Sequence, residues 1–141
     1  MIPILGVISD AQLADVDAAL GRLGTLDALW VFGSEASGAA TARSDIDFAA
    51  LFAIRPGVQA LVATCGQLEI SLERPVDLVD LETVSPVLAM QVVRHGRLVR
   101  EHDASHSVRF VATLPGRYED VMLMRRPAEK LLLMRLGNGR A

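Results

Sequence analysis

The 141-residue sequence has a single cysteine, few aromatic residues and no long apolar run. Cys65 alone permits neither an internal disulfide nor a thiolate metal cage, and its apolar neighbours favour a small buried side chain. The longest unbroken apolar stretch, Phe48 to Ile54, is far too short to cross a bilayer, so no membrane association is expected. Residues 1–10 have no basic region ahead of their few apolar residues, which makes the cytoplasm the default location.

The sequence also has no large excess of charge of one sign, because 14 Lys and Arg residues nearly balance 17 Asp and Glu residues. A net charge of −3 argues against a protein that coats phosphate backbones, so long nucleic acid is not an expected partner. Apolar residues, in contrast, make up 51% of the chain, and the mean hydropathy of +0.34 is high for a small domain. That excess suggests that a partner covers part of the surface.

Caps and apolar spacing predict helices that alternate with strands. Ser9 and Gln12 have the spacing of a capping box at the start of a first helix. Ser85 followed by Pro86 marks the start of another helix, which ends near Gly96. The other predicted elements are strands at 29–32, 45–52 and 75–81, a helix at 58–72 and an edge strand at 97–101. The length allows one α/β domain over residues 1–141, with a core of about 1–101 and a helical tail of about 102–141.

The tail contains two prolines and two apolar groups. We expect Pro115 and Gly116 to interrupt its helix, and Pro127 to kink it or begin a new one. The groups Val121–Met124 and Leu131–Met134 have too many hydrophobic residues for one helix face. Core packing and a partner surface account for these groups equally well.

His102 and His106 are four residues apart in the same tail. On a helix they could share a metal, but the sequence offers no third ligand near them. Exposure to solvent is the favoured interpretation of both.

The residues with the chemistry of a site lie between Gly33 and Asp80. Residues 33–47 read GSEASGAATARSDID. Gly33 lets the backbone turn close to a phosphate, while Ser34 and the amides after it can donate hydrogen bonds to the phosphate oxygens. Side chains alternate along a strand, so Asp45 and Asp47 share one face. Mg²⁺ prefers oxygen ligands and retains substrate phosphates, so this pair and a triphosphate form a candidate site for two magnesium ions.

The sequence contains Gly33-Ser34, then ten residues, then Asp45-x-Asp47. This pattern resembles the signature of the DNA polymerase beta-like nucleotidyltransferase superfamily. Gly38 and the SDID run are similar especially to the minimal nucleotidyltransferases (MNT), which are encoded beside HEPN proteins in bacteria and archaea. The resemblance continues through residues 74–101 and fades in the tail.

The resemblance implies a small mixed sheet flanked by helices, and a third carboxylate on the strand after the Asp pair. Asp77 is the candidate, because a charge between Val76 and Val79 has no structural role there. Asp80, three residues later, should face the other way and act as a loop or cap residue. The candidate nucleotide-binding residues are Gly33, Ser34, Arg43 and Ser44, and the candidate metal-binding and catalytic residues are Asp45, Asp47 and Asp77.

The function that the resemblance implies is that of an antitoxin. Such a protein transfers AMP from ATP to a tyrosine hydroxyl of a cognate HEPN ribonuclease toxin, with which it forms a hetero-oligomer. One feature departs from the family, whose members often have basic residues where this chain has Glu35, Ala36 and Ser37. Two alternatives stay open: an antitoxin that neutralises the toxin by binding alone, and a nucleotidyltransferase for a small molecule such as an aminoglycoside.

Overall fold

The computed structural model describes residues 8–41 and 44–138, in which helices alternate with the strands of a four-stranded sheet. The helices are α1 (Asp10–Leu23), α2 (Ser34–Ser37), α3 (Val58–Leu72), α4 (Pro86–His95) and α5 (Ala104–Asn138). The strands are β1 (Thr25–Phe32), β2 (Ile46–Ile54), β3 (Val76–Asp80) and β4 (Arg97–Glu101). This mixed α/β architecture confirms the predicted fold class.

The sheet has the order β3-β2-β1-β4. The central strand β2 pairs antiparallel with β1 and parallel with β3, while β4 pairs antiparallel with β1 at one edge. The end of β1 therefore lies beside the beginnings of β2 and β3. Both central strands are almost wholly buried, as expected for strands covered on both faces.

Helices cover both faces of the sheet. Alternate side chains of β1 and β2 point to opposite faces, which gives the domain two apolar clusters. On one face, α1 and α3 pack against residues such as Phe48 and Phe52. On the other face, α4 and α5 pack against residues such as Trp30 and Leu51.

The predicted helix starts are present with their hydrogen bonds. The Gln12 amide donates to the Ser9 hydroxyl over 3.1 Å, and the Ser9 amide donates to the Gln12 side chain over 2.9 Å, which completes the capping box. The Ser85 hydroxyl accepts from the Leu88 amide over 3.3 Å, with Pro86 in the first turn of α4. Local caps fix these boundaries, so local sequence predicts them well.

The tail differs from the sequence prediction at Pro115 and Gly116, because α5 runs through both without interruption. Pro127 also lies inside α5, so no new helix begins there. A proline inside a helix costs about 3 kcal/mol, through a lost hydrogen bond and a steric clash. Leu114 is buried just before Pro115, and Tyr118 packs on the same apolar cluster just after it. Tertiary packing on both sides of Pro115 thus offsets the local penalty, which the sequence pattern could not show.

Only the first half of α5 joins the core. Phe110 and Leu114 are buried beneath α4, whereas the two apolar groups farther along the helix contain exposed side chains. These exposed residues are Leu123, Met124, Leu131, Leu132, Leu133 and Met134, and Leu136 just beyond the second group is exposed as well. None of the helices in the described part of the chain is long and apolar enough to span a membrane.

Candidate active site

The candidate site lies where β1 ends and where β2 and β3 begin. Asp47, the second residue of β2, is paired with Phe32 of β1 on one side and with Asp77 of β3 on the other. Gly33 follows Phe32 directly, and Asp45 is exposed in the position just before β2. The register of two strand pairs therefore places Gly33, Asp47 and Asp77 side by side.

Gly33 fits this position for two reasons. Its φ of 70° lies in the region that side chains of L residues rarely adopt. A Cβ at this position would also collide with the carboxylate of Asp47. The strand exit and the Asp47 side chain can therefore be this close only if residue 33 is glycine.

A single helical turn, α2, follows Gly33. The Ser37 amide donates to the Gly33 carbonyl over 3.1 Å, and Gly38 ends the turn in the left-handed conformation with a φ of 80°. The first amides of a helical turn have no acceptor within the turn. The Ser34 end of α2 therefore has the geometry expected of a phosphate-binding turn.

Ser44 closes the loop that leads to Asp45. Its hydroxyl accepts a hydrogen bond from the Thr41 amide over 2.9 Å and lies 3.0 Å from the Thr41 hydroxyl. The hydroxyl of Ser44 is thus engaged within the loop in this structure. The other candidate nucleotide-binding residue of this loop, Arg43, lies outside the described residues.

A buried ion pair beneath the turn was missed at the sequence level. Nη1 of Arg74 lies 2.5 Å from Oε1 of Glu35, and both side chains are almost completely buried. Nε of Arg74 also donates to the Ser44 carbonyl over 2.8 Å. Arg74 therefore joins the α2 turn, the residue before Asp45 and the start of β3. Glu35, which stands where the resembled family often has a basic residue, therefore has a structural role here.

We expect Glu35→Gln to destabilise the fold by roughly 3–5 kcal/mol, because it leaves the Arg74 guanidinium buried without its counter-charge. The matched control is Arg55→Gln, which breaks the ion pair to Asp80 over 2.8 Å on a half-exposed arginine. The control should cost about 1 kcal/mol or less. Urea unfolding of both variants measures the difference, and equal small losses would refute a stabilising role of the buried pair.

Asp80 lies on the opposite face of β3 from Asp77. Its Oδ2 accepts from Nε of Arg55 over 2.8 Å, and its Oδ1 accepts from the Glu82 amide over 3.0 Å. Asp80 thus holds the turn after β3 at the far end of the strand. Asp77, the predicted third carboxylate, is exposed beside Asp47.

The carboxylates at the site repel one another. The pKa of Asp47 is raised by partial burial, by the charges of Asp77 and Asp45, and by a hydrogen bond to the Asp77 side chain. A hard divalent cation would relieve this repulsion, and carboxylate oxygens are suitable ligands for Mg²⁺. Within residues 8–41 and 44–138, no group of three Asp, Glu, His or Cys side chains forms a ready-made metal site. Substrate phosphates and water would have to complete the coordination shell.

The remaining polar candidates lie apart from these carboxylates or are poorly suited to react. Cys65 is half-buried, and its thiol pKa is raised by burial and by the charges of Glu69 and Asp77, which disfavours a reactive thiolate. The expectation that His106 is exposed to solvent was wrong. Its two ring nitrogens face Asp27 at 2.5 Å and Glu82 at 3.2 Å, at the opposite end of the sheet.

Comparison with known proteins identifies the family. The family model described as Polymerase beta, Nucleotidyltransferase matches residues 16–105. The chain belongs to this family of nucleotidyltransferases. No curated protein matches the nucleotidyltransferase significantly.

Solved structures resemble the nucleotidyltransferase over most of its length. A toxin-antitoxin crystal structure with AMP-PNP contains a chain of 25% identity and TM-score 0.78, with 89% of this chain and 99% of that chain covered. A complex of tri-AMPylated Shewanella oneidensis HEPN toxin with MNT antitoxin gives 24% identity, coverage of 86% and 98%, and TM-score 0.69. A minimal nucleotidyltransferase gives 30% identity, coverage of 65% and 98%, and TM-score 0.50.

The raised pKa of Asp47 leads to a prediction about how the stability of the fold depends on pH and Mg²⁺. Ionisation of Asp47 is disfavoured in the folded nucleotidyltransferase, so it lowers the stability of the fold. This loss of stability is absent below about pH 3.8, the ordinary pKa, and is complete above the folded-state pKa. At neutral pH without divalent ions, Asp47→Asn should therefore unfold at a higher temperature than the wild type. Added Mg²⁺ should raise the Tm of the wild type and leave that of the variant nearly unchanged.

Thermal unfolding at neutral and acidic pH, with and without Mg²⁺, measures both effects. The advantage of the Asn variant should vanish at the acidic end. A variant that is less stable at neutral pH, or one that Mg²⁺ stabilises as much as the wild type, would contradict this account of the carboxylates.

Proposed function

We propose that the nucleotidyltransferase is an antitoxin that transfers AMP from ATP to a tyrosine hydroxyl of a HEPN toxin. The observation that carries the proposal is that Gly33, Asp47 and Asp77 lie side by side at one end of the sheet. Two similar structures support it, since one is a toxin-antitoxin complex with AMP-PNP and the other contains a tri-AMPylated HEPN toxin.

The phosphate end of ATP would lie against the α2 turn. Gly33 has no side chain to block the approach of the triphosphate, and Ser34 supplies an amide and a hydroxyl as donors. The nearest described arginines are already engaged, since Arg74 is paired with Glu35 and Nε of Arg97 donates to the Ala36 carbonyl over 3.1 Å. Among the described residues, phosphate binding would therefore rely on the donors of the α2 turn and on cations held by the carboxylates, while Arg43 lies outside them.

Asp45, Asp47 and Asp77 would hold the magnesium ions, which neutralise the triphosphate and favour ionisation of the attacking hydroxyl. In the transfer, the hydroxyl oxygen bonds to the α-phosphorus while the bond from that phosphorus to pyrophosphate breaks. The hydroxyl proton needs an acceptor, because a tyrosine has a reference pKa near 10. Asp77 is exposed on the edge strand β3, where a hydroxyl from another protein can reach it and lose its proton to the carboxylate.

The test is co-expression with the product of the neighbouring gene, the expected HEPN toxin, followed by intact mass measurement. The partner should gain one or more AMP groups from the wild type. Asp47→Asn should reduce the transfer by roughly 100-fold or more. The matched control, Asp80→Asn, changes an aspartate of the opposite face and should retain most of the activity.

Other outcomes select the alternatives. An unmodified toxin that the wild type still neutralises would show an antitoxin that acts by binding alone. A small molecule modified in place of the toxin would retain the nucleotidyltransferase chemistry and remove the antitoxin role.

A further inference from the structure

The second half of α5, residues 123–138, is hereafter the α5 arm. Its apolar side chains do not fold back onto the domain, because Leu123, Met124 and Leu136 are each more than half exposed. The run 131–134 is Leu-Leu-Leu-Met, and all four of these side chains are also more than half exposed. Four consecutive residues point in all directions around a helix, so one flat surface cannot cover them. A helical turn that is apolar all round, as this run is, is normally buried, and an enclosing groove would bury it.

The α5 arm leaves the domain at the catalytic end of the sheet. Near its start, α5 lies beside the turn after β3, where His106 contacts Glu82. Farther along, Tyr118 and Met122 face Met90 and Arg94 of α4 across a shared cavity. Helix α5 therefore runs in the same direction as α4.

The direction of α4 leads to the site. Its last residue is followed by Gly96, where a Cβ would lie 3.0 Å from the Val31 carbonyl oxygen and 3.3 Å from Cβ of Phe32 in β1. Phe32 pairs with Asp47 and precedes Gly33. The α5 arm begins one residue after Met122, and its helix is about 24 Å long at 1.5 Å per residue.

The charge of the α5 arm indicates what covers it. Residues 123–138 contain four basic residues and one acidic residue, a net charge of +3 in a chain whose total is −3. Two copies of the arm packed together would bring like charges into contact, which disfavours a second copy as the occupant. A groove with an apolar floor and an acidic rim complements the arm.

We infer that the α5 arm docks into an apolar groove with an acidic rim on the acceptor protein, and so brings the acceptor hydroxyl to Asp77. The inference rests on the proposed function for the identity of the acceptor, a HEPN toxin. It assigns recognition of the acceptor to residues outside the nucleotide site. Binding of the toxin and binding of ATP then depend on separate parts of the chain.

The test compares two double variants of the full chain. The arm variant is Leu132→Glu with Leu133→Glu, and the control is Val58→Glu with Ile70→Glu on α3, where both side chains are at least as exposed. The arm variant should bind the product of the neighbouring gene, the expected HEPN toxin, roughly tenfold more weakly or worse. Its affinity for AMP-PNP, its Tm and its molar mass in light scattering should match those of the wild type.

Three results would overturn the inference: unchanged toxin binding by the arm variant, equal losses in both variants, or a wild-type dimer that the arm variant dissociates. Failure of the proposed function has a different signature. If the wild type binds the toxin through the arm without transferring AMP, the docking role stands and the catalytic role fails. If the arm variant loses transfer but retains binding, the docking role fails.

Discussion

The register of the central strand β2 is the constraint on which the site depends. Pairing with β1 sets Asp47 against the Gly33 turn, and pairing with β3 sets it beside Asp77. A slip of one residue would turn Asp47 toward the opposite face and would move Phe48, which is fully buried, out of its apolar cluster beside α1 and α3. The apolar core therefore specifies the same register that brings the carboxylates together. The stability of the sheet and the geometry of the site have one cause.

Two kinds of buried or half-buried acidic side chain lie near the start of β2. Glu35 is fully buried, but Arg74 neutralises it and links the α2 turn to the residue before Asp45. Asp47, in contrast, has only other acids as charged neighbours within the described part of the chain, and its pKa is raised. A charge that the fold has already paired suits a structural role, whereas a charge left in repulsion suits the binding of a cation. The paired acid holds the loop, and the repelled acids form the site.

Local signals made much of the fold predictable. Ser9 and Ser85 cap their helices through neighbours three residues away, so the starts of α1 and α4 could be predicted from nearby residues. The motif of Gly33, Ser34, Asp45 and Asp47 is also made of residues close together in the sequence, so it could be recognised in the same way. In contrast, Glu35 and His106 have partners far away in the chain, and no local pattern reveals those contacts. The same reason explains the error at Pro115, where packing of α5 on α4 outweighs a local helix breaker.

The most direct test of the central claim is a titration of the isotope-labelled chain with Mn²⁺ in the presence of AMP-PNP, followed by NMR. Mn²⁺ substitutes for Mg²⁺ at oxygen ligands and broadens the signals of nearby nuclei. The account predicts that the amide signals of Gly33, Asp47 and Asp77 disappear first, while those of Asp27 and His106 at the other end of the sheet persist. Early broadening at Asp27 and His106, or uniform broadening along the chain, would contradict it.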